Sequence, residues 1–279
     1  MTSDPAPGPT PYATRATIAA DLAALGVRPG DVLLVHSALS AFDPVVGGAP
    51  AVVLALADAV GPTGTVTVPT QSWQLCDPAY LGVEPADRWE LVRANLPPYD
   101  PEWTPSAAMG AVAEALRTAP GARRSGHPHR SFAALGPHAG RITARHELAD
   151  PLGDGSPLAE LYRLDARVLL LGVGHDKSTA LHLAEARSRP VAERRTVTER
   201  GAIAERRANG APLLVDGRRR WVAFDEPAVS DHDFAAVGAA FEHRSGAARA
   251  GRVGGARAVL LPLRPLVDFA ADWFRAHRG

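Results

Sequence analysis

Short, uninterrupted apolar runs recur along the chain, each closed by small or polar residues. Val32-Leu-Leu-Val-His36, Thr65-Val-Thr-Val-Pro69, Phe132–Leu135, Val168–Leu171 and Ala258-Val-Leu-Leu261 have the length of strands, and continuous apolarity is the mark of strands covered on both faces. Between them the period changes to that of helices. Thr14–Leu25 places Ile18, Leu22 and Leu25 on one face and is closed by Gly26. Further helices are expected over Ala51–Val60, Ala107–Thr118, the turn capped by Ser156 and started by Pro157, Ala180–Arg187, Phe234–Phe241 and Leu263–Ala276. This βαβ rhythm predicts an α/β fold, a single domain with a central mixed or parallel sheet flanked by helices. Arg194–Thr198 and Leu213–Phe224, with Asp216-Gly217 as a turn, predict a smaller C-terminal antiparallel sheet region. Residues 1–13 are Pro-rich and read as a flexible tail, leaving 14–279 as one domain without repeats or a long linker.

The periodicity disappears between residues 70 and 105. This stretch holds Trp73, Trp89, Trp103 and Tyr80 among the acids Asp77, Glu84, Asp87, Glu90, Asp100 and Glu102. Aromatic faces and carboxylates together suit a cationic or polyhydroxylated ligand, so the segment reads as a substrate loop, although each acid alone reads equally well as a solvated charge.

Composition narrows the function by exclusion. Thirty basic and 30 acidic residues cancel, giving no reason to expect a nucleic-acid or membrane-surface partner. No apolar run has transmembrane length, and Met-Thr-Ser-Asp-Pro lacks the charged start and apolar core of a signal peptide, so a cytoplasmic protein is expected. One cysteine, Cys76, rules out an internal disulfide framework.

The candidate chemistry gathers after the Val168–Leu171 run. Gly172 and Gly174 break the strand, Ser178 or Thr179 can cap the next helix, and His182 and Glu185, three residues apart, share one face of it. Asp176 sits in the turn. A lone His182 would more often be a structural histidine, and Glu185 a solvated charge; paired at a strand–turn–helix junction, they suit proton transfer equally well. His175, Asp176, His182 and Glu185 are all metal-ligand types, but no HExxH or cysteine cluster is present and no metal is expected. At the end of the first strand His36-Ser37 lies where open α/β sheets bind ligands. Ser37 lacks the glycine elbow of a hydrolase nucleophile and reads as a hydrogen-bond donor. No GxGxxG or Walker lysine follows that strand, which argues against a dinucleotide or P-loop site. The almost bulk-free start expected for the Ala107–Thr118 helix would leave N–H groups free for an anion. Arg123, Arg124, His127, His129 and Arg130 crowd beside Ser131 and Phe132 as a phosphate-plus-aromatic combination, or as a solvated charge cluster.

Four stretches together resemble the aminoglycoside 3-N-acetyltransferases, the antibiotic N-acetyltransferase family. They are Asp31–Ser40 with Val46-Gly-Gly48, Tyr99-Asp-Pro to Met109-Gly110, Arg124-Ser-Gly-His-Pro-His-Arg-Ser-Phe-Ala-Ala-Leu-Gly136, and Leu169–Glu185 with its Leu-His-Leu-Ala-Glu. The resemblance implies a fold of that family, acetyl-CoA as donor, and acetylation of the 3-amino group of a 2-deoxystreptamine ring, conferring resistance. It implies His182 as the catalytic histidine and Glu185 as its partner, with Asp176 on an acidic position of the family and His36 beside the thioester. It also implies that coenzyme A meets Ser37, Ala38, Leu39, Ser40, Ser106, Met109, His127, Ser131 and Phe132. Tyr80, Glu84, Asp87 and Trp89, in the loop where relatives vary, would join Asp176 and Glu185 in holding a small-molecule aminoglycoside. The expected assembly is a monomer or homodimer. Another amine natural product as acceptor, or a silent binder of coenzyme A or antibiotic, remain alternatives.

Overall fold

A computed structural model describes residues 12–189 and 206–278. Its strands and helices follow in chain order as α1 (Arg15–Leu25), β1 (Val32–Ser37), α2 (Gly48–Val60), β2 (Thr65–Pro69), α3 (Trp89–Asn95), α4 (Ala111–Arg117), β3 (Arg123–Arg124) and β4 (Phe132–Leu135). They continue as α5 (Ala139–Thr143), α6 (Pro157–Arg163), β5 (Arg167–Leu171), α7 (Ala180–Ser188), β6 (Arg206–Val215), β7 (Arg218–Pro227), α8 (Phe234–Ser245), β8 (Arg249–Val253), β9 (Ala256–Pro262) and α9 (Leu263–His277).

Seven strands form one sheet in the order β3-β4-β2-β1-β5-β9-β8. The centre, β2-β1-β5, is parallel, and both flanks pair antiparallel, so the expected central sheet is mixed. Successive side chains of a strand point to opposite faces, and two cores follow from that alternation. Val32, Leu34, Val168 and Leu170 face α6, α7, α8 and α9, whereas Leu33, Val35, Leu169 and Leu171 face α1, α2 and α4. The continuous apolar runs are therefore strands covered on both sides.

β6 and β7 pair outside this sheet as a long antiparallel hairpin turning at Asp216-Gly217. It is the smaller sheet expected from sequence, and its Tyr99-facing strand gives the carbonyl of Pro212 to the Tyr99 N–H. The expected strand at Arg194–Thr198, like most of the expected tail, lies outside the described residues. No helix among the described residues is long and apolar enough to cross a membrane.

Two helical expectations change. The helix expected over Ala107–Thr118 begins only at Ala111, because Ala108 and Gly110 take positive φ (59° and 85°), which no helix accommodates. A seven-residue helix entered this way does not provide the anion-binding N-terminus read from its small residues. Conversely, the aperiodic 70–105 segment contains α3, whose residues are not fully buried on any face and so show little pattern.

Candidate active site

The three parallel strands run in the same direction, and their carboxyl ends, with Val173 just beyond β5, open into a cavity of about 730 Å³. That is the place an open α/β sheet offers a ligand, and the volume suits a small-molecule site. Val35, His36 and Ser37 enter its wall from β1, Val68 and Pro69 from β2, and His182 from α7. One side is Ser37-Ala38-Leu39-Ser40 against Met109-Gly110-Ala111; the other is Gln71, Trp73, Tyr80 and Arg130, with Asp176, Lys177 and Asp231 adding charge.

The turn that leads from β5 to His182 depends on a close approach. Gly172 has φ of +70°, and a Cβ there would stand 2.3 Å from the Cβ of Ala41. With glycine in place, α7 starts at Ala180 and presents His182 to the cavity. The i, i+3 spacing brings His182 Nδ1 to 3.1 Å from Oε2 of Glu185. Phe234 packs edge-on against the imidazole, with ring centroids 4.8 Å apart. Glu185 does not line the large cavity; it stands behind the ring, with 3% of its side chain exposed. Its Oε1 accepts from the Ser230 N–H at 3.0 Å and from Nη1 of Arg278 at 2.7 Å. Burial pushes the Glu185 carboxyl up, but the hydrogen bond and charge of His182, the Ser230 N–H and the Arg278 charge outweigh it and hold the group below its ordinary range. A carboxylate anchored to one imidazole nitrogen leaves Nε2 to act as acceptor of a proton, the arrangement of a general base with an orienting acid.

His36 is buried at the end of β1, and its Nε2 lies 3.4 Å from the Thr179 N–H. A backbone N–H only donates, so Nε2 is the acceptor and the neutral ring carries its proton on Nδ1. Burial, with the nearby His182 adding to it, pushes the His36 pKa down to about 3. The group is thus a fixed neutral N–H donor in the cavity wall near neutrality.

The other expected residues divide. Ser37, Ala38, Leu39, Ser40, Met109, Tyr80 and Asp176 line the cavity, but Ser106, His127, Ser131 and Phe132 do not. Ser106 instead donates to Glu114 at 2.7 Å. Ser131 donates to the Thr70 carbonyl at 2.7 Å, and Phe132 is wholly buried in the core under the sheet. His127 Nδ1 accepts the His129 and Arg130 N–H groups, each at 3.1 Å, which folds the turn onto itself. Arg124 is spent likewise on Thr70, Ser72 and Ser131. Arg124, His127, His129 and Ser131 are thus spent on internal hydrogen bonds, whereas Arg123 is exposed and Arg130 reaches the cavity wall.

Of the acidic loop, Glu84 and Asp87 are exposed and Trp89 gives its indole N–H to the Val83 carbonyl at 2.6 Å; none of the three lines the cavity. Asp77 is tied to Arg93 at 2.9 Å. Among the described residues no group of three or more His, Cys, Asp or Glu is placed to hold a metal ion.

Sequence reasoning missed Asp231, Gln71 and Arg278, and it gave no partner for Arg130. Arg130 and Glu226 pair at 2.8 Å, both almost fully buried, with Arg130 over the Trp73 ring at 4.5 Å and 3.2 Å from the Tyr80 hydroxyl. From sequence Arg130 reads as part of a phosphate-plus-aromatic combination or of a solvated charge cluster; no periodic signal connects it to Glu226, 96 residues away.

The chain is similar to known proteins over nearly its whole length. It is 39% identical to the SPbeta prophage-derived aminoglycoside N(3')-acetyltransferase-like protein YokD of Bacillus subtilis (strain 168), over 94% of this chain and 92% of that protein. The YokD crystal structure superposes with a TM-score of 0.88, covering 96% of each chain. Aminoglycoside N(3)-acetyltransferase IX of Micromonospora chalcea is 38% identical over 94% of both chains. The structure of AAC-IIIb, a binary complex with CoASH, matches with a TM-score of 0.80 at 32% identity, over 95% of this chain and 97% of that one. A family model described as aminoglycoside 3-N-acetyltransferase matches residues 34–275, and on that extent of agreement the chain belongs to this family of acetyltransferases.

Proposed function

We propose that the protein transfers the acetyl group of acetyl-CoA directly to an amine of a 2-deoxystreptamine aminoglycoside, at the 3-amino position, with His182 as general base. The observation that carries the reading is the His182–Glu185 pair, its carboxylate buried and its imidazole in the wall of a cavity at the strand ends. The named activity of the Micromonospora relative and the CoASH complex of AAC-IIIb support the donor and acceptor classes.

An ammonium has no lone pair. His182 removes its proton, and the free amine forms a C–N bond to the thioester carbon. As the C–S bond breaks, protonated His182 gives its proton to the leaving sulfur and then takes the second proton from the nitrogen, passing it to solvent, so that a neutral amide and a free thiol result. Glu185 orients the imidazole and stabilises its cation. The neutral Nδ1–H of His36 and the Ser37 hydroxyl supply donors for the oxyanion that forms in between. The Ser37–Ser40 and Met109–Ala111 walls suit the pantetheine end of the donor, being narrow and short of charge. Gln71, Tyr80, Asp176 and Asp231 are left for the acceptor; Glu84, Asp87 and Trp89 would reach it only from outside the wall.

The charge of that wall favours a second reading. Among the residues lining the cavity, Asp176 pairs with Lys177 and Arg130 with the buried Glu226, which leaves Asp231 as a small excess of acid, whereas a polycationic aminoglycoside would be served by a larger one. An amine natural product of lower charge fits so small an excess. Both readings predict thiol release from acetyl-CoA when the acceptor is present. Assaying 2-deoxystreptamine antibiotics beside monoamines and diamines, and locating the acetylated nitrogen, decides between them. Release with the small amines alone defeats the aminoglycoside reading, and binding without release in every case defeats both.

A further inference from the structure

Glu185 orients His182, but a buried carboxylate on a helix has to be held in turn. With Oε2 facing His182, Oε1 is met by the Ser230 N–H and by Nη1 of Arg278, at 3.0 and 2.7 Å, while Arg189 approaches only to 3.5 Å. Arg278, immediately after α9, is itself fixed from three sides. Its Nε donates to Oδ2 of Asp233 at 2.7 Å and its Nη2 donates to Oδ1 of the same carboxylate, a two-pronged contact. The same Nη2 donates to the Ser230 carbonyl at 3.0 Å. The Phe274 ring lies under the guanidinium at 4.1 Å.

We propose that Arg278 is a positioning residue for proton transfer at His182: held by Asp233 and Ser230, it clamps the Glu185 carboxylate so that Oε2 meets the imidazole Nδ1–H. This rests on His182 being the base of the proposed reaction. The planar, preorganised fork is what the position requires. One guanidinium edge takes Asp233 in a two-pronged contact while Nη1 is directed at Glu185; an ammonium, with three donors on one atom, can touch both carboxylates but lacks that fixed fork. Without it, Oε1 keeps one backbone N–H and the longer Arg189 ion pair at 3.5 Å, and the carboxylate can turn away from the ring. A misdirected base costs turnover and not ligand affinity, since neither Glu185 nor Arg278 lines the large cavity.

The test compares Arg278→Gln and Arg278→Lys with the native chain by two readouts. The first needs no turnover: the downfield proton signal of the His182 Nδ1–H in the hydrogen bond to Glu185. It is expected to be lost or shifted upfield in the Gln variant and partly kept in the Lys variant. The second is steady-state acetyl transfer with the best acceptor. The Gln variant is expected to lose roughly 10- to 100-fold in kcat with both KM values unchanged, and the Lys variant to recover part of it. Thermal melts set the folded fraction. A native-like His182 signal in the Gln variant overturns the clamp, as does unchanged kcat, or a loss of activity that only tracks unfolding. If the native protein itself transfers no acetyl group, the catalytic reading fails, and the proton signal still decides whether Arg278 holds the pair.

Discussion

His182, Glu185 and Asp176 were all readable as a group, yet only two of them act on one another. The i, i+3 spacing on α7 fixes the first pair whatever the tertiary structure does. Asp176, three residues before the helix cap, pairs instead with its neighbour Lys177 at 3.1 Å and remains exposed in the cavity wall. The expected consequences differ accordingly. Replacing His182 by Ala should cost about 10²–10⁴ in kcat while leaving acetyl-CoA binding near its native strength. Glu185→Gln keeps the size of the side chain but can present an amide N–H to Nδ1, favouring the wrong tautomer, and should cost at least ~100-fold. Asp176→Asn should leave kcat nearly unchanged and act on acceptor KM. Stopped-turnover assays with calorimetric titration of acetyl-CoA check all three, and a His182→Ala protein at full speed ends the base assignment. None of the motif positions pointed to Arg278, because its partners lie 45 and 93 residues away and only α9 packed across α7 and α8 brings them together.

At the scale of elements, the buried strands were the legible part, and the irregular connections were not. Runs such as Val32–Val35 and Val168–Leu171 can be nothing but core, so β1, β2, β4 and β5 emerge nearly to the residue. The segments joining them are held by contacts that a linear pattern does not contain. The His127-Pro-His129 turn, read from sequence as a phosphate-plus-aromatic combination or a solvated cluster, is buried and braces its own backbone. The small-residue run before α4 looked helical and is a loop that turns Met109 into the cavity. Packing of α8 shows how such contacts can be tested. Gly238 lets this helix lie against His175, where a Cβ would come within 2.0 Å of the ring, while His175 Nε2 and Glu242 Oε1 meet at 2.6 Å. Gly238→Ala should therefore displace α8 or the turn bearing His175, despite alanine's better helix propensity. The expected loss is about 1–3 kcal/mol, with a melting temperature lower by several degrees in a circular-dichroism melt. Equal or greater stability would show that the helix and turn have room to separate.

For the whole molecule, the pattern of neutral buried histidines sets how the protein responds to acid. His127, His129 and His146 form a cluster with Phe224, and each ring is satisfied only as a neutral imidazole. His127 accepts two backbone N–H groups at Nδ1, and His146 Nε2 lies 2.7 Å from the Pro151 carbonyl, to which it must donate, leaving Nδ1 to accept from Ser125. His129 bridges the Leu75 carbonyl and the Asn209 amide. Burial pushes the pKa of His146 down to about 3 and that of His129 down to about 4, and pushes His127 well below its ordinary range, as it does for His36. In the unfolded chain the same four rings titrate at about 6.5. Between that value and the folded values the unfolded state binds more protons, so stability is complete above about pH 7 and falls as the pH drops. The three rings with folded values of about 3 to 4 give a slope of about 4 kcal/mol per pH unit in the window from roughly 6 to 4, His127 acting in the same direction, against a total stability on the order of 5–15 kcal/mol. Acid unfolding should consequently be steep and centred near pH 5, above the range where carboxylates alone would unfold a protein. Replacing His146 by Gln, whose amide can serve both partners without titrating, should flatten the slope by about 1.4 kcal/mol per pH unit. Following tryptophan emission and chemical unfolding at stepped pH measures both; a native baseline that stays flat to pH 4 would mean that these rings accept protons in the folded state.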